Sequence, residues 1–314
     1  FIGSHLTELC VELGYNVKAF DRYNPNNHWG WLEESKYNDD IEVILGDIRD
    51  YDSVSKAMDG CNSVFHLAAL IGIPYSYVSP LAYIRTNVEG TYNVLESMKN
   101  LNLEQVLITS TSETYGTAQY TPIDEKHPLI GQSPYSASKI AADQLAISYS
   151  RSFDLPIKIV RPFNTYGPRQ SPRAIIPTII TQCLKDGNKE IKLGNLSPTR
   201  DLTIVHDTCT GFLEIFKSDR MFGEITNIGM NEEISIGDLA KKIIHLLDLN
   251  ISVTDDTNRV RPENSEVERL RCNNEKLLKD TGWQPDYNLE KGLLETIYWF
   301  KNSSHMYKSE LYHI

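Results

Sequence analysis

The strongest candidates for chemistry in this sequence are Tyr135 and Lys139, in the stretch Tyr-Ser-Ala-Ser-Lys. Residues four apart share one face of a helix, so a helix would bring the phenol and the ammonium together. An ammonium stabilises a phenolate, which is expected to lower the pKa of the tyrosine. The phenol could then exchange a proton with an alcohol hydroxyl while hydride leaves the same carbon. An exposed helix face has the same spacing, so the pair alone leaves both interpretations open.

A second group of polar side chains, Thr111, Ser112 and Glu113, directly follows a predicted strand at 105–110. Open α/β sheets bind ligands at the carboxyl ends of their strands, so these side chains are placed to meet one. Hydroxyl groups and a carboxylate are suited to acid–base chemistry. A turn or a helix cap is the alternative, but the Tyr135 helix predicted shortly afterwards favours a catalytic cluster.

The beginning of the chain carries features typical of a dinucleotide site. Phe1, Ile2 and Gly3 match the end of a glycine-rich turn entering a helix, whose amino terminus attracts a pyrophosphate. Asp21 ends the next predicted strand, where a carboxylate binds a ribose diol and favours NAD over NADP, a preference that the adjacent Arg22 weakens. Residues placed to hold the adenine or to let the cofactor approach the backbone are Asp47, Ile48, Leu67, Ala68 and Ala69.

These residues are spread over alternating strands and helices in the first half of the chain. The predicted strands are 16–21, 41–46, 63–69, 105–110 and 157–160, and the predicted helices are 4–14, 52–58, 79–99 and 134–153. Strands separated by helices form parallel crossovers. The pattern therefore predicts an α/β fold, a Rossmann-type doubly wound parallel sheet.

The regular alternation of strands and helices ends after about residue 165, where proline and glycine become frequent. We therefore expect an NAD-binding domain at 1–165, to which 200–225 returns, and a smaller C-terminal lobe, mainly 166–314, that binds the substrate. Helical spacing predicts helices at 174–186 and 236–248 in this lobe.

Arginines in the second half are candidate ligands for an anionic substrate. The segment 161–169 follows a strand where the regular alternation ends, and Arg200, Arg259 and Arg261 come later. Guanidinium groups bind diphosphates in a bidentate manner. For any single arginine, a solvated surface position is an equally good interpretation.

Composition restricts the possible partners. The 314 residues carry a formal net charge of −11, a poor match for nucleic acid or an anionic membrane surface. No apolar run approaches the roughly 18–20 residues of a membrane helix. The five cysteines form neither a CxxC pair nor a metal-ligand spacing, which predicts free thiols, no metal site and a cytoplasmic protein.

Together these residues resemble the extended short-chain dehydrogenase/reductase family, the NAD-dependent nucleotide-sugar epimerases and dehydratases. The resemblance extends from Phe1-Ile-Gly to Gly282-Trp-Gln-Pro, with several motifs in the family's order. It implies NAD as cofactor, a nucleotide sugar as substrate, and a homodimer formed through the helices at 79–99 and 134–153. The family begins with a strand and a Thr-Gly-x-x-Gly turn before Phe-Ile-Gly, so we expect the chain to lack its first strand.

The resemblance also implies roles for individual residues. Tyr135, Lys139 and the Thr111 hydroxyl are the implied catalytic groups, and the two residues after Thr111 report the reaction. Glucose 4,6-dehydratases of the deoxythymidine-diphosphate type have Asp-Glu there, the Asp as proton donor at carbon 6 and the Glu as base at carbon 5. Asn87 and Pro162 are implied further cofactor contacts, and the implied substrate contacts are Tyr75, Asn164, Arg169, Ile175, Arg200 and Arg261.

Ser112-Glu113 looks like the corresponding pair of GDP-mannose dehydratases, UDP-glucuronate decarboxylases and the N-acetylglucosamine 4,6-dehydratases of legionaminic acid pathways. The segments that look most like the legionaminic group are 69–77, 133–139, 169–171 and 261–269. The sequence thus predicts a 4,6-dehydratase of UDP- or GDP-N-acetylglucosamine. A UDP-glucuronate decarboxylase, a nucleotide-sugar 4-epimerase and a non-catalytic NAD-binding regulatory protein are the alternatives.

Overall fold

The computed structural model describes residues 1–256, 259 and 262–303. In chain order, helices α1 to α11 are Ile2–Glu12, Tyr51–Met58, Ile73–Val78, Pro80–Tyr83, Gly90–Leu101, Pro134–Phe153, Ile175–Cys183, Val205–Lys217, Ile236–Leu246, Glu275–Thr281 and Leu289–Ser303. Strands β1 to β12 are Val17–Arg22, Ile41–Gly46, Ser63–His66, Gln105–Thr109, Ile157–Pro162, Asn164–Tyr166, Glu190–Leu193, Thr199–Arg200, Leu202–Ile204, Ile225–Ile228, Ile234–Ser235 and Ser252–Asp255. A π-helical segment, Ile84–Glu89, joins α4 to α5.

The central sheet has four parallel strands in the order β10-β5-β4-β3. β1 and β2 form a separate parallel pair, with Val17 opposite Ile41. Helices connect these strands, as parallel crossovers require. The arrangement confirms the predicted Rossmann-type α/β architecture.

Strand β4 shows how both faces of the sheet are covered. Val106 and Ile108 pack with α2, α5 and α6 on one face. Leu107, between them, packs with α1 and α8 on the other. All three side chains are fully buried, because successive side chains of a strand point to opposite faces and helices close both. Packing on both faces therefore fixes the carboxyl end of β4. It also fixes the position of the polar residues that follow this strand.

The second lobe has its own apolar core, built mainly from α7, α9, α11 and β7. Leu202 and Ile204 of β9 belong to this core. The segment from Val205 to Ile228 packs against the first half of the chain, because α8 contributes to the core with α1 and β10 pairs with β5. The division into two domains, with a return at 200–225, stays a prediction.

Predicted and observed elements agree closely at 134–153 and 41–46, which are α6 and β2. Two predictions need correction. The strand predicted at 63–69 ends at His66, because the residues after it leave the ladder and are bound by a side chain of the neighbouring helix. The helix predicted at 79–99 is interrupted by the π-helical segment before α5.

All five cysteines are free thiols, as predicted. Of the helices in the described part of the chain, none combines the length and apolar character that a bilayer crossing requires.

Candidate active site

Helix α6 presents Tyr135 and Lys139 from its first two turns. Ser133 caps the helix in a reciprocal pair of hydrogen bonds with Ser136, and Pro134 occupies the first turn, where it costs no hydrogen bond. Tyr135 is 7% exposed and Lys139 is 3% exposed. The sequence therefore starts the helix at a defined residue and directs both groups into the protein.

The ammonium of Lys139 lies against the end of β4. Its Nζ donates a hydrogen bond of 2.6 Å to the carbonyl oxygen of Thr109. Burial lowers the pKa of Lys139, and the negative charge of Asp143 opposes this by raising it. The lysine is thus fixed to the strand that carries the second polar group.

Tyr135 differs from the sequence-based expectation in one respect. Burial raises the pKa of its phenol, and a hydrogen bond with the Thr111 side chain opposes that rise only in part. The carboxylate of Glu113 raises the pKa further. The lowered pKa expected from the spacing to Lys139 is therefore wrong for this arrangement, because burial of the phenol destabilises the phenolate.

Thr111, Ser112 and Glu113 form the start of a short 3-10 turn, Ser112–Tyr115, after β4. The Thr111 hydroxyl caps this turn by accepting a hydrogen bond of 3.3 Å from the Glu113 backbone N–H. Gly116 ends the turn at φ 66°, where a Cβ would collide with the Ile130 carbonyl oxygen, so a larger residue does not fit. Ser112 is 2% exposed and Glu113 is 8% exposed. The structure thus brings all five predicted catalytic residues together.

The segment that follows β3 is held by Asn87. Its Oδ1 accepts from the Leu70 N–H at 2.8 Å, and its Nδ2 donates to the Leu70 carbonyl oxygen and the Ser138 hydroxyl, each at 2.9 Å. Asn87 lies in the π-helical segment, a geometry common at functional sites. Asn87 thus joins Leu70, directly after Leu67, Ala68 and Ala69, to Ser138 of α6.

The amino terminus of α1 fits an anionic ligand. The helix spans Ile2–Glu12 and carries no acidic residue in its first turn. A Cβ placed on Gly3 would meet no atom within 4 Å. Open space beside the positive end of a helix suits a phosphate. Phe1, Ile2 and Gly3 therefore stay the candidates for contact with a dinucleotide's pyrophosphate.

Asp21 and Arg22 end β1, and the Asp21 carboxylate accepts a 2.7 Å hydrogen bond from the Arg22 N–H. The Asp47 carboxylate accepts hydrogen bonds from both Nε and Nη2 of Arg49. This ion pair lowers the pKa of Asp47. Ile48 follows Asp47, and its carbonyl oxygen accepts from Asn93 at 2.9 Å. Asp21 stays the candidate for a ribose, and Asp47 and Ile48 stay the candidates for the adenine.

The predicted substrate contacts do not all face one space. Asn164 begins β6 directly after Pro162 and Phe163, and its Oδ1 is buried without a hydrogen-bond partner among the described residues. Ile175 begins α7, and Tyr75 of α3 is 38% exposed beside the buried Tyr83. An unpaired buried acceptor at a strand end suits a ligand donor.

The guanidinium of Arg169 donates to both carboxylate oxygens of Glu8 on α1, at 2.9 and 3.0 Å. Its backbone has φ 67°. The structure therefore places Arg169 in a contact with α1, and its role as a substrate contact stays a prediction.

Arg200 is 6% exposed and forms an ion pair of 3.2 Å with Glu266. Arg259 pairs with Asp256 at 3.1 Å. Arg261 lies outside the described residues. Ser265 fixes the segment 262–268 to the first half of the chain. Its hydroxyl lies 2.6 Å from both the Tyr77 hydroxyl and the Gln132 carbonyl oxygen.

Sequence reasoning missed a buried group directly behind the catalytic residues. The carboxylate of Asp143 on α6 binds the Ser110 hydroxyl and the guanidinium of Arg161. The signal was available, because Asp143 continues the four-residue spacing of Tyr135 and Lys139. A carboxylate on the buried face of a helix requires partners.

Comparisons with known proteins agree with this geometry. The sequence profile of the family described as GDP-mannose 4,6 dehydratase matches residues 1–296. A putative UDP-glucose 4-epimerase of Methanocaldococcus jannaschii is 30% identical over 97% of this chain and 96% of its own. A UDP-N-acetyl-alpha-D-glucosaminuronate decarboxylase of Bacillus cytotoxicus is also 30% identical, over 96% and 95%.

Among solved structures, a dTDP-glucose 4,6-dehydratase of Streptomyces venezuelae with bound NAD superposes with a TM-score of 0.88 at 26% identity. The alignment covers 98% of this chain and 96% of that one. Three reaction types thus occur at similar distances from this sequence. The chain belongs to the extended short-chain dehydrogenase/reductase family of NAD-dependent nucleotide-sugar dehydratases and epimerases.

Proposed function

We propose that this protein is an NAD-dependent 4,6-dehydratase acting on UDP- or GDP-N-acetylglucosamine, closest in type to the enzymes of legionaminic acid pathways. The observation that carries the proposal is the position of Glu113. Glu113 is 8% exposed and lies two residues after Thr111. The negative charge of its carboxylate raises the pKa of the Tyr135 phenol. A plain alcohol oxidation or 4-epimerisation needs no buried carboxylate at this position.

The residues present fit NAD, with the first turn of α1 for the pyrophosphate, Asp21 for a ribose and Lys139 with Asn87 for the nicotinamide end. When bound, NAD would supply the hydride acceptor and donor for the chemistry at carbons 4 and 6. Tyr135 removes the proton from the carbon-4 hydroxyl, and Thr111 orients that hydroxyl. Lys139 stabilises the phenolate with its positive charge.

Glu113 supplies the step that distinguishes a dehydratase. Oxidation at carbon 4 acidifies the proton at carbon 5, and the Glu113 carboxylate removes it. Water then leaves carbon 6. Ser112 is 2% exposed and lies next to Glu113. A serine hydroxyl is a much weaker acid than a carboxylic acid, so in this scheme Ser112 orients the leaving hydroxyl and Glu113 passes the carbon-5 proton to it, forming the water that leaves. As hydride reaches carbon 6, carbon 5 takes up a proton from solvent, and Tyr135 releases the carbon-4 hydroxyl proton to solvent.

The alternatives depend on different residues. A decarboxylase requires a cation at the sugar carboxylate, and Arg200 is the candidate, although its guanidinium is paired with Glu266. A 4-epimerase would leave Glu113 without a role. A regulatory protein would not need Tyr135, Lys139, Thr111 and Glu113 in one cluster.

We also propose a homodimer formed through α4, α5 and α6. The outer side of this region exposes Leu81, Ile84 and Tyr92 at 55%, 52% and 43%. Apolar side chains exposed together on neighbouring helical turns suit a protein interface. The helices that would meet at this interface are the ones that carry the catalytic pair.

The decisive experiment is mass spectrometry of products from a panel of UDP-, GDP- and dTDP-linked sugars. Loss of one water from an N-acetylglucosamine nucleotide supports the proposal. Loss of carbon dioxide from a uronate, an isobaric product, or tight NAD binding without product would instead support the decarboxylase, the epimerase or the regulator.

The Glu113→Gln variant tests the carrying observation. We expect it to bind NAD and to show the absorbance of reduced nicotinamide on addition of substrate, while the product lighter by one water disappears. Glu125→Gln is the matched control, because Glu125 is a half-buried carboxylate outside the cluster that accepts the Asn227 N–H at 2.9 Å. Full dehydration by Glu113→Gln would overturn the proposed role.

A further inference from the structure

Tyr135, Lys139 and Asp143 follow one another at four-residue steps along α6 and therefore share its inner face. Asp143 is 0% exposed. The proposed reaction uses only the first two residues. Asp143 is thus a buried carboxylate, one helical turn beyond Lys139, with no assigned part in binding cofactor or substrate.

The partners of Asp143 join three elements. Its Oδ2 accepts hydrogen bonds from the Ser110 hydroxyl at 2.6 Å and from Nε and Nη2 of Arg161 at 3.1 and 2.7 Å. Ser110 also donates its backbone N–H to the Val160 carbonyl oxygen at 2.7 Å. Ser110 is therefore held from β5 through its backbone and from α6 through its side chain.

Ser110 stands between the two residues that the catalytic pair contacts. The carbonyl oxygen of Thr109 accepts the hydrogen bond from Lys139. The side chain of Thr111 forms the hydrogen bond with Tyr135. Fixing Ser110 therefore fixes both contacts of the pair at once.

The Asp143–Arg161 ion pair is poorly completed for a purely structural element. Both side chains are 0% exposed, yet Asp143 Oδ1 and Arg161 Nη1 have no hydrogen-bond partner in the part of the chain that the structure describes. Buried ion pairs with unmet hydrogen-bonding groups add little to stability compared with apolar packing. The Asp143–Arg161 pair lies behind the carboxyl end of β4, next to the proposed catalytic residues. This position suggests a functional role for the pair.

Charge around Lys139 comes from several elements. On α6 itself, the charge of Asp143 raises the pKa of Lys139 against the effect of burial. On the surrounding elements, His66 of β3 interacts with Lys139, Tyr83 of α4 and Glu113 of the turn after β4 act on Tyr135, and Arg161 of β5 pairs with Asp143. Burial lowers the pKa of His66 to about 3, so this ring is neutral near pH 7 and adds no second positive charge beside Lys139.

We propose that Asp143 is the positioning residue of the Tyr135–Lys139 pair, fixing the strand end that the pair contacts and keeping the lysine charged. This role rests on the function proposed above. It assigns Asp143 no contact with substrate or cofactor, since it acts through Ser110 and Lys139.

Three variants test the role: Asp143→Asn, the double variant Asp143→Asn with Arg161→Gln, and Lys158→Met as control. Asp143→Asn leaves Arg161 as an unpaired buried charge and is expected to be unstable. The double variant removes both charges and recovers stability. Lys158 is a buried lysine on the same strand as Arg161, so Lys158→Met controls for a general loss of stability.

The measurements are kcat and KM across pH with the substrate found in the panel, and NAD affinity by calorimetry across the same pH range. In the double variant we expect kcat to fall about 10- to 100-fold with KM little changed, as misplacement of catalytic groups produces. The alkaline loss of NAD affinity moves to lower pH by about one unit, because Lys139 has lost its countercharge. Lys158→Met leaves this pH dependence in place.

A double variant with the wild-type kcat and the wild-type pH dependence would show that Asp143 only neutralises Arg161. If wild-type protein turns over no sugar in the panel, the proposed function fails, but the pH dependence of NAD affinity still decides the role of Asp143. A wild-type NAD profile in both Asp143 variants would overturn the proposal by itself.

Discussion

Lys139 and Lys158 are both buried, at 3% and 1% exposure, but their surroundings differ. Lys158 Nζ donates to the carbonyl oxygens of Ile215, Phe216 and Ser218 at the end of α8 and to Gln105 Oε1, at 2.6 to 3.1 Å. For Lys139, the carbonyl oxygen of Thr109 is the one acceptor within the described residues.

The difference separates a structural lysine from a functional one. An ammonium has three N–H donors, and leaving them unmet inside a protein costs free energy. Lys158 uses all of its donors on a helix end, where a cation also interacts favourably with the helix dipole. Lys139 keeps donors for groups that the protein does not supply, which is the arrangement expected where a ligand's hydroxyls complete the site.

The largest effect expected from this contrast is on catalysis. Lys139→Met should lower kcat by roughly 10²- to 10⁴-fold, the range for a lost acid–base group, while the free energy of unfolding changes by about 1 kcal/mol or less. Steady-state kinetics and urea unfolding measure the two quantities. A variant that lost stability but kept its kcat would reverse the assignment of Lys139.

The complementary change should affect stability and spare the chemistry. Lys158→Met leaves the last carbonyl groups of α8 without their donor, so we expect a loss of roughly 2–4 kcal/mol in the free energy of unfolding. The kcat of the folded fraction should remain near wild type. An unchanged free energy of unfolding would show that solvent replaces Lys158 at this helix end. Lys158 would then have no structural role to contrast with Lys139.

The sequence predicted the catalytic side of this comparison better than the structural side. Tyr135, Lys139 and Glu113 could be identified because helix periodicity and strand ends fix their positions locally. Lys158 gave no signal, since its acceptors lie 53 to 60 residues away along the chain. Periodicity indicates which face of an element a side chain lies on. It does not indicate which partners a distant segment of the chain supplies.

The same limit applies to the ion pair of Arg169 with Glu8, which lies 161 residues away along the chain. Such pairing depends on tertiary contacts that a local pattern does not contain. The pKa direction of Tyr135 was wrong for a related reason, because the degree of burial cannot be read from a four-residue spacing.

Acid stability offers a smaller test, through His66 beside Lys139. Burial, together with the charge of Lys139, lowers the pKa of His66 to about 3, against about 6.5 in an unfolded chain. Between these values the unfolded state binds the extra proton. The free energy of unfolding should therefore fall as pH decreases through this window, by up to about 1.4 kcal/mol per unit.

Urea unfolding at one-unit steps from pH 7 to pH 3 measures that slope and where it ends. His66→Gln should reduce it, with the remainder coming from His5, whose pKa burial lowers to about 4. Lys139→Met should raise the pKa of His66 and end the slope at a higher pH, whereas Lys158→Met should not. Equal slopes in the two lysine variants would mean that the charge of Lys139 does not reach His66.

The smallest expected effect concerns the outer surface of the Lys139 region, where we propose the homodimer. Tyr92→Lys should weaken association by about tenfold, because it places a charge in an apolar contact. Light scattering over a dilution series measures this, and Tyr298→Lys on α11, where the tyrosine is 72% exposed, is the control. If only the control variant dissociates, the dimer forms through α11 instead. Because α6 carries Lys139 and would lie in the proposed interface, dissociation of the dimer should also lower kcat. Dimer formation would then support the catalytic position of Lys139.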